Sequence, residues 1–225
     1  MSPTPSAPVT VIIPMYQAAR YIVEALDSIR AQTLRPERVI VADDGSTDNG
    51  PDLVAARSDV ELLRRPHTGI NPTVEAGLSL ARTEFVAFLD ADDRWTPEKT
   101  RLQLDYLRAR PEVGMVFGHA RRFVMTPDGG EQNLDVVPGL TRCGGLFRRT
   151  LFDRINYLTN NEDSHEFLNW FTRAQEAGVV THTLPDVVFE RRIHGANHGI
   201  LNRAEQRRAY FTTIKAALDR RRAQS

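Results

Sequence analysis

The chain has 225 residues, and its 29 basic and 29 acidic side chains leave no formal net charge. That length can bury a sizeable core, and 41% hydrophobic with 26% charged residues excludes disorder and a coiled coil. A single cysteine, Cys143, excludes an internal disulfide, and the neutral balance argues against nucleic acid as a partner.

The first half alternates strand and helix signals. Residues 9–13 are a β-branched apolar run, which predicts a buried strand stopped by Pro14. Between 18 and 32, Ile22, Ala25, Leu26 and Ile29 recur at helical spacing. Residues 39–42 predict a second strand, ended by the turn Asp43-Asp44-Gly45-Ser46. A short helix over 49–57, a weaker strand over 60–63 and a helix over 74–81 follow. Residues 85–89 predict a fourth strand, ended by Asp90-Ala91-Asp92-Asp93. Thr96-Pro97-Glu98 then opens a helix to about residue 110, with a capping residue and a proline at the first position.

The second half reads differently. A strand over 113–117 precedes a hairpin over 121–137, turned at Thr126-Pro127-Asp128-Gly129-Gly130. A helix over 166–177 ends at Gly178, and short strands follow over 179–183 and 187–191. A long terminal helix over 202–222 carries an arginine-rich face. That face could attract acidic lipid headgroups, as a peripheral membrane contact, while the apolar face packs on the domain or on a second copy, as a homodimer. No apolar run approaches the roughly 18 residues of a transmembrane segment, and the N-terminus lacks the pattern of a signal peptide. A cytoplasmic location is the expectation.

Strands alternating with helices predict an α/β fold, with a mostly parallel central sheet flanked by helices. Ligands bind such sheets beyond the carboxyl ends of the strands, and two of those ends carry acidic clusters. Crowded carboxylates repel, so a cation is a natural companion, and oxygen ligands suit magnesium or manganese. The bland alternative for each cluster is a solvated acidic turn.

Four stretches in order carry a resemblance. They are Val9-Thr10-Val11-Ile12-Ile13-Pro14-Met15-Tyr16, Ala31-Gln32-Thr33, Val39-Ile40-Val41-Ala42-Asp43-Asp44-Gly45-Ser46-Thr47-Asp48 and Phe88-Leu89-Asp90-Ala91-Asp92-Asp93. Together they resemble family 2 glycosyltransferases of the GT-A fold, densely over residues 9–105 and more loosely to about 200. The resemblance implies one domain over 1–225: a nucleotide-sugar-binding half at about 8–112, an acceptor half at about 113–200 and a C-terminal helix over 201–225. It implies a nucleotide-sugar donor, foremost a UDP-sugar, an Mn2+ or Mg2+ ion and transfer with inversion. The acceptor would be a small molecule, a lipid-linked molecule or a peptide.

The resemblance also implies residue roles. Pro14, Met15 and Tyr16 would border the base and ribose. Asp44 would accept a hydrogen bond from the nucleobase, with Asp43 supporting it or the ribose. Asp90 would approach the ribose or sugar, with Ala91 beside it. Asp92, with Asp93 as a further candidate, would hold the metal, and His194 of Arg191-Arg192-Ile193-His194 would complete its shell ahead of His198. Two departures stand out. The family's phosphate-meeting arginine is replaced by Val74, next to an acidic Glu75, so Arg64 or Arg65 would have to compensate. The family's catalytic aspartate, six residues before Arg173, is replaced by Phe167. Glu166, adjacent to it, and Asp163 are the two candidates for the base, Glu166 first. These departures motivate an alternative: a non-catalytic relative that binds nucleotide-sugar or a partner transferase.

Overall fold

The computed structural model describes residues 6–157 and 166–194. Asp163, His198 and the terminal helix expected over 202–222 lie outside the described residues. The strands are β1 Ser6–Met15, β2 Arg35–Asp43, β3 Glu61–Arg64, β4 Phe85–Phe88, β5 Arg94–Trp95, β6 Val113–Met125, β7 Glu131–Pro138, β8 Gly145–Arg148 and β9 Val180–Arg192. The helices are α1 Ile22–Arg30, α2 Gly50–Ala55, α3 Ile70–Ser79, α4 Lys99–Ala109, α5 Thr150–Arg154 and α6 Glu166–Glu176, with a 3-10 turn at Arg142–Gly144. Among them, no helix is long and apolar enough to cross a membrane.

One sheet runs β3-β2-β1-β4-β8-β6-β9-β5, with β7 paired to β6. It is parallel across β3, β2, β1 and β4, and mixed beyond. Alternation along β1 splits the core. Val9, Val11 and Ile13 face α1, where Ile22, Ala25, Leu26 and Ile29 form the buried stripe. Ile12 faces the other way, toward Val74 of α3 and an aromatic group that includes Phe88, Phe147 and Trp170. Gly77 lets α3 approach closely: a Cβ there would lie 2.6 Å from Ile12 Cγ2.

Several boundaries differ from the sequence expectation, each for a local reason. β1 continues through Pro14, which lies beyond the last β4 pairing at Ile12 and Phe88 and so needs a partner on one side only. α3 opens at Ile70 rather than 74, because Pro72 falls in a first turn, where an N–H has no helical acceptor. α4 opens at Lys99, because Thr96 Oγ1 donates to the Val187 carbonyl at 2.9 Å instead of capping. The two short strands expected after Gly178 are one strand, β9, with its pairing to β6 shifted around Pro185 and Asp186.

Lys99 has almost no exposure. Its ammonium donates to Gln103 Oε1 at 2.7 Å and to the Gly145 carbonyl at 3.3 Å, over the Trp95 ring. Burial without a carboxylate partner pushes its pKa down from 10.5 to about 7. Between those values the unfolded chain binds the extra proton, so this group makes stability rise with pH from about 7 to 10.5, by up to about 1.4 kcal/mol per unit. Lys99→Met should remove this slope. Urea unfolding at pH 6.5 and pH 9.5 should show the variant gaining on the wild type most at the lower pH; a gap independent of pH would contradict the assignment.

Candidate active site

The first acidic cluster builds a laced pair of loops at the ends of β1 and β2. Asp44 is buried, and its Oδ1 accepts the Thr68 amide at 2.8 Å and the Thr73 hydroxyl at 2.9 Å. Its Oδ2 accepts the Gly69 amide at 2.9 Å and lies 2.8 Å from His67 Nδ1. The carboxylate therefore anchors the loop between β3 and α3, and a nucleobase donor would have to share an oxygen with it. Gly45 is required by close approach: its φ is 74°, and a Cβ would lie 2.8 Å from the His67 amide. Asp43 is fully buried, accepts the Ser46 amide at 3.2 Å and has Arg64 Nε 3.7 Å away.

Pro14 and Met15 are buried, so of the three expected base-bordering residues only Tyr16 offers its side chain at the surface. Its ring stacks on His67 with centroids 4.3 Å apart. His67 stands alone in the sequence, with no motif around it to signal this contact. Gln17 completes the lacing: its side-chain carbonyl accepts the Thr47 and Asp48 amides, both at 3.0 Å.

The second cluster follows β4. Asp92 Oδ2 and His194 Nε2 lie 3.0 Å apart, although 102 residues separate them in sequence. Tyr21 stacks on His194 with centroids 5.1 Å apart, and Arg192 Nε donates to the Asp92 carbonyl at 3.2 Å. Asp90 Oδ1 accepts from Arg142 Nη2 at 2.9 Å and Nε at 3.2 Å. Asp93 turns inward and accepts the Arg192 amide at 2.9 Å. Ala91 is buried between them and offers no side-chain polar group.

The carboxylates carry the electrostatic strain of this crowding. Burial and then the Asp90 charge raise Asp92, with His194 acting against them. Burial, Asp90 and Asp92 push Asp93 well above the usual carboxylate range. Burial opposes ionisation of Asp90 too, but there the Arg142 guanidinium wins and holds the group low. A divalent cation relieves such repulsion, so the residues fit one. Asp90, Asp93 and Cys143 also bring ligand atoms within 4.8 Å of one another. They are the poorer set, because Arg142 and the Arg192 amide already occupy the two carboxylates. Burial, then Asp90, raises the Cys143 thiol well above its ordinary value. Asp92 and His194 are the residues that could hold the ion.

Glu166, the first residue of α6, is buried, and its Oε1 accepts from Arg142 Nη1 at 2.5 Å. Phe167 turns into the aromatic group, beside Phe117, Phe147, Trp170 and Phe171. Val74 is fully buried core. Arg65 bonds the Pro72 carbonyl, which leaves Arg64 as the cation beside Asp43. Glu75 lines a cavity of about 470 Å³ with Arg82, Asn156 and Tyr157.

With this arrangement in view, the comparisons with known proteins are decisive about family. The family described as Glycosyl transferase family 2 matches residues 10–173. The chain belongs to glycosyl transferase family 2.

This family 2 chain is 34% identical over 113 residues to an uncharacterised glycosyltransferase of Nostoc sp., covering 48% of this chain and 35% of that protein. It is 25% identical over 232 residues to the chondroitin synthase of Pasteurella multocida, covering 95% of this chain and 23% of that protein. Its fold is shared with S. aureus TarS 1-349, solved in complex with UDP-GlcNAc: TM-score 0.71, 20% identity, 84% of this chain and 60% of that one. The chain thus spans less than two thirds of the length of each of these relatives. The fold expectation from sequence holds.

Because Asp44 ties four donors to one carboxylate, Asp44→Ala should lower stability by about 2–4 kcal/mol. It should also accelerate amide exchange at Thr68 and Gly69. Urea unfolding with hydrogen-exchange mass spectrometry checks both; unchanged exchange over 65–73 would remove the anchoring role.

Proposed function

We propose that this chain is a metal-dependent glycosyltransferase that moves a sugar from a nucleotide-diphospho-sugar, foremost a UDP-sugar, to an acceptor hydroxyl with inversion. The observation that carries this reading is the meeting of Asp92 with His194 at 3.0 Å, beside the acidic loops at the strand ends. In a parallel sheet that is where ligands bind. The UDP-GlcNAc complex of the fold neighbour TarS supports the choice of donor.

In this reading, Tyr16 and the Asp43-Asp44 loop border the base and ribose, and Asp90 faces the ribose or sugar. Asp92 and His194 hold the Mn2+ or Mg2+. When bound, the ion neutralises charge on the departing diphosphate as a Lewis acid. Arg64 adds a cation near Asp43 and stands in for the arginine that Val74 replaces. Glu166 takes the proton from the acceptor hydroxyl as its oxygen attacks the anomeric carbon. Asp163 is the second candidate for that role and lies outside the described residues. The placement of Phe167 in the aromatic core favours one other reading, a non-catalytic relative that binds nucleotide-sugar or a partner transferase.

The deciding assay is turnover of UDP-, GDP- and dTDP-sugars with Mn2+. Hydrolysis or transfer from one of them supports the enzyme. Clear nucleotide binding by calorimetry with no turnover of any donor supports the binding protein instead. Asp92→Ala should abolish Mn2+-dependent UDP binding, and an affinity equal to wild type would remove the metal assignment.

A further inference from the structure

We propose that Arg142 is a positioning residue: one guanidinium that spans the Asp90 carboxylate and the Glu166 carboxylate and so sets the base against the donor end of the site. This rests on the reading of Glu166 as the base. Nothing in the sequence marks Arg142, which precedes Cys143 in a stretch without a chemical motif.

The geometry is specific. Arg142 opens the 3-10 turn that leads into β8, 52 residues from Asp90 and 24 from Glu166 in sequence. Nε and Nη2 converge on Asp90 Oδ1, at 3.2 and 2.9 Å. Nη1 reaches Glu166 Oε1 at 2.5 Å. A planar guanidinium with fixed N–H directions that bonds two carboxylates fixes both their spacing and their angle. A lysine ammonium supplies the charge without that geometry. Among the described residues, Arg142 is the side chain that hydrogen-bonds Glu166, and it takes Oε1 alone. Oε2 accepts no hydrogen bond among those residues, which leaves it for the acceptor proton. Tyr157 is buried beside the pair, and burial, then the Glu166 charge, holds its phenol protonated.

The span also joins the two parts of the sheet. Asp90 follows β4, the last strand of the parallel part, whereas Glu166 opens α6, which packs on β8 and β6 through Phe167 and Trp170. Deleting the guanidinium outright leaves the buried Glu166 carboxylate and the half-buried Asp90 carboxylate without their shared partner and threatens folding. Arg142→Lys, which keeps the charge, is therefore the informative variant.

The experiment measures UDP-GlcNAc hydrolysis with Mn2+, with water as the acceptor, in the wild type, Arg142→Lys, Glu166→Gln and the double variant. Arg142→Lys should lower kcat about 100-fold, the scale of a misplacement near 1 Å, with KM for UDP-GlcNAc changed less than about threefold. In the Glu166→Gln background the lysine should cost nothing more. An unchanged kcat, or an equal loss in both backgrounds, would overturn the proposal. Full turnover by Glu166→Gln would instead overturn the base reading.

Discussion

Three carboxylates stand within four residues after a short buried strand, and the surrounding structure depends on how their repulsion is met. Each is met differently. Asp90 is paired with Arg142, Asp92 with His194, and Asp93 with the backbone amide of Arg192. All three partners come from beyond residue 140, while the carboxylates come from the parallel part of the sheet. Assembly of the site and docking of the second half are therefore one event. A low-dielectric interior makes such pairs costly when broken, which ties the chemistry to the integrity of the fold.

The same logic extends outward. Arg94, just past the cluster, bonds Glu24 at 2.7 Å, Glu131 at 2.5 Å and Glu190, so α1, the β6–β7 hairpin and β9 converge on β5. Arg192 adds a bond to Glu24 and lies over the rings of Tyr21 and Phe123. This network holds the end of β9, and with it His194, against the loop that carries Asp92. On the other side of the site, Asp44 does for the loop over 65–73 what Arg94 does for β9. An acidic motif that reads as ligand chemistry is partly scaffold: Asp44 and Asp93 spend their oxygens on backbone amides.

The start of α6 is where the chain departs from the pattern that the resemblance implies. Phe167, where that pattern expects an aspartate, is absorbed into an aromatic group with Phe117, Phe147 and Trp170. That group packs under α6 and fixes the orientation of its first turn. Glu166, one residue earlier, then points to Arg142 rather than into the core. The two side chains can take such different surroundings because neighbours on a helix diverge by about 100°.

Much of the parallel half was legible from sequence, because continuous apolar runs and Gly- or Asp-rich turns are local signals. The runs at 9–13 and 85–89, and the acidic turns that follow β2 and β4, carry the expectation of a ligand site at the strand ends. Boundaries failed where a distant partner outweighed local preference: Thr96 bonds β9 instead of capping α4, and Pro14 fits inside β1 because β4 has already ended. β8 and α5 carry too short a pattern to be seen. By itself, then, the sequence determined the α/β order, the two acidic clusters and the family. Only the tertiary structure decided which acids are anchors and which remain for chemistry. It alone singled out Arg142, Arg192 and Tyr21 as the side chains that hold the site. Those choices rest on contacts between residues 24 to 173 positions apart, and no local pattern of residues encodes a contact of that range.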